Sequence, residues 1–116
     1  MNDFSYKKLV VWQKAIMLLK LTYKILEKLP KNEEFGLKSQ LRRAAVSVSS
    51  NIAEGSGRKS IAERKRFYEI ARSSVIEIDS QLEASVALQF IKEEDCEEIN
   101  PLIMEEFKML TKMIEG

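Results

Sequence analysis

An antiparallel, up-down-up-down four-helix bundle is the fold this sequence predicts, and three observations predict it. Apolar residues recur at intervals of three and four through four separate stretches. Only four glycines and two prolines interrupt the 116 residues, well under the roughly 12% of an average chain. The connections between stretches are a few residues long, which makes successive helices antiparallel neighbours. Threonine, a strand former, occurs only at Thr22 and Thr111. The length suits one domain, residues 1–116, with no repeat and no low-complexity tail.

The first helix is expected over about residues 8–29. Leu9, Trp12, Ile16, Leu19, Tyr23 and Leu26 form one heptad seam, and Val11, Ala15, Leu18, Thr22, Ile25 and Leu29 form a second beside it. Two seams are wider than one partner helix covers, so the helix belongs in a bundle and has apolar surface to offer a neighbouring subunit. Pro30 ends it. Asn32 is the expected cap of a second helix over about 33–54, with Leu37, Leu41, Ala44, Val48 and Ile52 inward. Its small residues, Ala44, Ala45, Ser47, Ser49, Ser50 and Ala53, allow close axial approach and make it the central packing element.

Gly55-Ser56-Gly57 breaks the pattern as a C-cap and corner, and Ser60-Ile61-Ala62-Glu63 restarts it with a capping box. The third helix, about 60–90, turns Tyr68, Ala71, Val75, Ile78 and Leu82 inward. The fourth, about 93–115, begins with five acids in six residues, the favourable sign for a helix N-terminus, and buries Cys96, Ile99, Ile103, Phe107, Leu110 and Ile114. Pro101 should kink it, or restart it with Asn100 as cap; the kink is the favoured expectation.

Composition excludes several function classes. The chain has no histidine, so it lacks the commonest general base, the histidine-dependent nucleophile pairs and any imidazole metal ligand. No metal or cofactor is expected. Single Cys96 cannot form an internal disulfide and fits a reducing compartment. No apolar run approaches the about 20 residues of a membrane span, and no secretory leader opens the chain. A soluble, cytoplasmic, non-enzymatic protein is expected.

Net charge is only +1, but its distribution is uneven. Residues 1–37 carry net +3, residues 38–72 net +6, and residues 73–116 net −8, and all six arginines lie between Arg42 and Arg72. Guanidinium forks match phosphate oxygens, so this segregation marks a candidate nucleic-acid surface: Arg42 and Arg43 within the second helix, and Arg58, Lys59, Arg64, Lys65 and Arg66 around the next connection. The same charges would also serve a solvated face that pairs with the acidic fourth helix or with another subunit. No helix-turn-helix spacing or aromatic stacking motif accompanies them, which argues against base-specific readout.

The stretch Gly55–Ser60 departs from a phosphate-cradling loop: Ile52 stands in the first glycine slot, Arg58 follows Gly57, and a helix precedes the turn. Polar residues also form stripes. Gln40, Ser47, Asn51 and Glu54 share a face of the second helix, and Ser74, Glu77 and Gln81 share one of the third. They read either as wet faces or as a hydrogen-bonded network between helices or subunits that fixes register and oligomeric state. Glu54 and Glu77 have no accompanying nucleophile or metal motif.

Four blocks resemble one known family: residues Leu9 to Ala15 (LVVWQKA), Phe35 to Ala44 (FGLKSQLRRA), Ser47 to Gly55 (SVSSNIAEG) and Ile70 to Glu77 (IARSSVIE). The sequence resembles the four-helix-bundle 23S rRNA intervening-sequence proteins over roughly residues 4–90. It departs at Ser49-Ser50, where proline often occurs, and at Ser73, where glycine is usual. The resemblance implies a homopentamer without known enzymatic activity. Some members of that family are encoded within inserts in bacterial large-subunit ribosomal RNA genes. Relatives that act as accessory proteins of diversity-generating retroelements bind nucleic acid and a reverse transcriptase. By position the family motif picks out Gln40, Arg42, Arg43, Asn51, Glu54, Gly55 and Glu77. The expected function is an oligomeric accessory or ribonucleoprotein module that binds nucleic acid through its basic surface. The alternative is a protein–protein scaffold held by charge pairing between subunits.

Overall fold

The computed structural model describes residues 1–116 and is all-helical, with extents of 44 × 29 × 21 Å. Helices α1 (Val10–Leu26), α2 (Leu37–Ser56), α3 (Ile61–Ala87) and α4 (Ile99–Glu115) pack in sequence order around one core, and α4 closes against α1. Short 3-10 turns at Ser5–Lys8, Lys31–Glu33 and Glu93–Cys96 precede α1, α2 and α4.

Of the two seams on α1, the one running from Val11 through Ala15, Leu18, Thr22 and Ile25 to Leu29 is buried throughout. The other is half-buried from Leu9 to Leu19, reaches solvent at Tyr23 and is buried again at Leu26. Leu41, Ala44, Val48 and Ile52 of α2 meet Tyr68, Ala71, Val75, Ile78 and Leu82 of α3, all buried. These two helices form the most intimate pair in the molecule. Their small residues permit it, and Gly55 marks the closest approach: a Cβ there would lie 2.8 Å from Tyr68 Cε1 and 2.9 Å from Phe67 Cβ.

Element ends differ from the sequence expectation for identifiable reasons. Residues 5–8 form a separate turn, so α1 starts at Val10, and its α-helical bonding ends at Leu26, although Leu29 stays buried. Asn32 does not cap α2. Gly36 (ψ −113°) is outside the helical region, α2 begins after it, and Glu33 Oε1 accepts the Leu37 N–H at 3.2 Å. At the other end α2 runs on through Gly55 to Ser56, so Gly55 serves packing and not a left-handed cap; no glycine has positive φ. Ser60 Oγ caps α3 by accepting the Glu63 N–H at 3.0 Å, and the reciprocal Glu63 bond is not made. Helix α3 stops at Ala87 because Gln89 (φ 64°) turns left-handed, with Phe90 N–H bonded to the Ser85 carbonyl and Gln89 N–H to that of Val86.

The expected kink at Pro101 is not formed. The acidic run closes its own 3-10 turn at Glu93–Cys96, and α4 starts afresh at Ile99 with Glu98 at the cap position, not Asn100. Pro101 therefore occupies the first helical turn, where a missing N–H costs nothing. One residue on the buried stripe of α4 has an unexpected chemistry. Glu106 is fully buried, and neither carboxylate oxygen has a hydrogen-bond partner. Burial raises its pKa to about 8, against the opposing pull of Lys14 and with a small push from Glu105.

Candidate nucleic-acid interface

The antiparallel layout brings the C-terminus of α2, the N-terminus of α3 and the C-terminus of α4 to one end of the bundle. The Ser5–Lys8 turn joins them, since it precedes α1 and packs on α2. That end carries Arg58, Lys59, Arg64, Lys65 and Arg66, together with Lys7, Lys8 and Lys112. Glu93, Glu94, Asp95, Glu97 and Glu98 lie at the opposite end, beyond the 27 residues of α3, a length of about 40 Å. The chain is thus polarised along the bundle axis.

Ion pairing decides which cations are free. Carboxylates of α4, its cap and the turn before it engage lysines of α1 and of the segment just after it: Lys14 with Glu105, Lys24 with Glu98 at 3.7 Å, and Lys28 with Asp95 at 2.6 Å. The Lys28 ammonium holds the Asp95 carboxyl below its ordinary pKa, and the Lys92 backbone N–H assists. No arginine of the chain pairs with an acid of α4. Arg42 pairs with Glu34 at 3.0 Å, and Arg58 with Glu54 at 3.2 Å. Arg43, Lys59, Arg64, Lys65 and Arg66 have no carboxylate within 4.0 Å.

Within the corner, Arg58 and Arg64 have internal duties. The Arg58 guanidinium lies 4.8 Å from the centre of the Phe67 ring, and its carbonyl accepts Arg64 Nε–H at 2.6 Å. These contacts shape the connection, leaving exposed Lys59 and Arg66 and half-buried Lys65 as its unpaired cations, with exposed Glu63 the unpaired acid among them. Arg42 and Arg43 are not part of this cluster. They lie about 15 residues earlier on the α2 side, roughly 20 Å away along the axis. Arg42 joins Lys20, Tyr23, Lys24 and Lys38 in an open groove between α1 and α2, and Arg43 is exposed. Sixth of the arginines, Arg72 leaves the surface set: it donates to Thr111 Oγ1 at 3.1 Å and lies over Phe107.

The polar stripes sort themselves differently. Ser74 Oγ donates to Ser47 Oγ at 2.9 Å, Asn51 Nδ2 donates to the Ser47 carbonyl and hydroxyl, and Gln81 Nε2 donates to Gln40 Oε1 at 2.6 Å. The Ser74–Ser47 and Gln81–Gln40 bonds stitch α2 to α3 within one chain, and the Asn51 bonds stay within α2 and orient Ser47. Glu54 turns to Arg58, and Glu77 is exposed without a hydrogen-bond partner. Sequence reasoning missed Lys7 and Lys8, which only the antiparallel layout places near the corner. No cluster of three or more acids or thiols able to hold a metal is present, and no helix is long and apolar enough to cross a membrane.

Fold and charge together define a small helical-bundle protein with a group of unpaired cations at one end. The chain belongs to the 23S rRNA-intervening sequence protein family, which matches residues 7–112. Among solved structures it is similar to a protein of unknown function from the S23 ribosomal protein family of Bacteroides thetaiotaomicron. The two are 26% identical, the match covers 92% of this chain and 100% of that one, and the TM-score is 0.84. Comparison with curated proteins gives no match.

Proposed function

We propose that this protein is a non-enzymatic, oligomeric nucleic-acid-binding module, an accessory or ribonucleoprotein component that holds a strand by its phosphates at the α2–α3 corner. The observation that carries this reading is the division of ion pairs. Asp95, Glu98 and Glu105 pair with Lys28, Lys24 and Lys14, no acid of α4 pairs with a corner cation, and of the corner cations only Arg58 has a carboxylate partner, Glu54 one turn earlier. Lys59, Lys65 and Arg66 supply the contacts, Arg58 and Arg64 form the scaffold beneath them, and the Arg42 groove with Arg43 is a second, smaller patch. Assembly into a ring, five copies in the family pattern, repeats the patch and converts modest contacts into avidity. A reverse-transcriptase-type protein partner and a cytoplasmic setting accompany this role.

The test is a titration of single-stranded RNA and DNA at several salt concentrations. Binding should weaken with salt, and Lys59→Glu combined with Arg66→Glu should cost about tenfold or more in affinity and flatten the log–log slope by about 1.4 for a single strand. Both side chains are exposed and unpaired, so the variant keeps its fold. An unchanged slope removes the corner as the site.

The same polarity favours a second reading, a scaffold in which the basic end of one copy meets the acidic end of the next. In that case high salt dissociates the oligomer in light scattering, and RNA changes nothing.

A further inference from the structure

We infer that Phe4, stacked on Tyr6 beside the cationic corner, is a platform on which a base of a single-stranded nucleic acid stacks. This inference rests on the function proposed above and adds to it the strandedness of the ligand and the group that reads it. The linear sequence shows no aromatic motif near the arginines, because the rings come from about 50 residues upstream; the fold brings them to the same end.

Three rings form a series from the core outward. Trp12, half-buried on α1, meets the Tyr6 ring edge-on, with centroids 5.0 Å apart and planes at 72°. Phe4 lies nearly parallel to Tyr6, at 6.3 Å and 19°. Phe4 is 63% exposed and has no polar tip to hydrate; Phe35, at 96%, is more exposed, but it precedes α2 at the opposite end, and what distinguishes Phe4 is its stacking on Tyr6. The turn that carries it is fixed from several sides. Gln13 Nε2 donates to the Lys7 carbonyl at 2.8 Å, the Lys7 ammonium reaches back to the Asn2 carbonyl, and Lys7 N–H bonds to the Phe4 carbonyl at 3.3 Å. A ring held in advance loses little freedom on binding.

Lys7 and Lys8 flank the platform, with Asp3 as the one adjacent acid, and the turn packs on α2, whose end leads into Arg58 and Lys59. Aromatic faces beside a cationic track are what single strands require: phosphates follow the charge while unpaired bases stack on the rings. A duplex keeps its base faces internal and has nothing to offer Phe4.

The experiment compares a uridine oligomer of about 12 nucleotides with an abasic strand of equal length and charge, on the wild-type protein and on Phe4→Leu and Phe4→Trp. The expected result is that wild type prefers the base-bearing strand about tenfold. Phe4→Leu should abolish that preference without changing the salt slope, and Phe4→Trp should keep it. Equal affinity for the two strands in wild type, or a preference that Phe4→Leu leaves intact, overturns the platform while the electrostatic site stands. Failure of both strands to bind overturns the proposed function and the platform with it.

Discussion

Replacing Glu106 with leucine should stabilise the bundle, and the gain should grow as pH rises. The Glu106 pKa stands at about 8 in the folded chain against 4.5 for an ordinary glutamate, chiefly because burial disfavours the charged form. A folded pKa above the unfolded one means that the native state binds the extra proton. The stability linked to that proton is fully present below about pH 4.5 and is lost as pH climbs through about 8. Each pH unit between the two values is worth about 1.4 kcal/mol, so the loss across the window is on the order of 4–5 kcal/mol. Leucine fills a similar volume, asks for no hydrogen bond and titrates not at all. Denaturant unfolding at pH 5, 7 and 9 checks this. Wild type should weaken steadily across the series relative to Glu106→Leu, and parallel pH profiles would contradict the assignment. The chain contains no histidine to titrate within the window, and Cys96, whose thiol pKa is pushed up by burial, is common to both proteins and drops out of the comparison.

Gly55→Val should destabilise the fold by about 3 kcal/mol or more, and even Gly55→Ala should lower stability. In a helix interior alanine normally gains up to about 1 kcal/mol over glycine. At Gly55 sterics reverse that sign. The new Cβ would lie 2.9 Å from Phe67 Cβ, which is fixed to the α3 backbone, and 2.8 Å from the ring of Tyr68, itself only 7% exposed. Neither can yield without moving the start of α3. Gly57 is the internal control: its nearest neighbour would be 3.6 Å from an added Cβ, and its φ of −89° suits any residue. Gly57→Ala should therefore be neutral or mildly stabilising. Thermal or denaturant unfolding of the three variants settles the ranking.

Spacing made the core legible. Positions three and four apart on α2 and α3 picked out Leu41, Ala44, Val48 and Ile52, and Tyr68, Ala71, Val75, Ile78 and Leu82, all of them buried. On α4 the expected stripe took Phe107 between Ile103 and Leu110, but the structure buries Glu106 there and leaves Phe107 and Ile114 half-buried; residue type hid it, because a carboxylate reads as surface until the packing shows it enclosed. Helix ends were less legible because local bonding competes there. A 3-10 turn took the acidic run that looked like a helix start, and Gly36 delayed α2 past Asn32. For the candidate interface, the arginine segregation stood out in the sequence. The choice made by the acids of α4 did not, since pairing with α1 depends on which helices are neighbours and at what level. The aromatic series was equally hidden, because only antiparallel packing puts Phe4 and Arg58 at the same end of the bundle.

The central claim is that polyphosphate binds at the α2–α3 corner and not elsewhere on the bundle. Lysine acetylation read by mass spectrometry, with and without a saturating single-stranded oligonucleotide, tests it most directly. Lys59 and Lys65 at the corner, with Lys7 and Lys8 beside it, should lose reactivity in the complex, while exposed Lys92 at the acidic end should react as before. Unaltered labelling of Lys59 and Lys65, or protection centred on Lys92, would contradict the account.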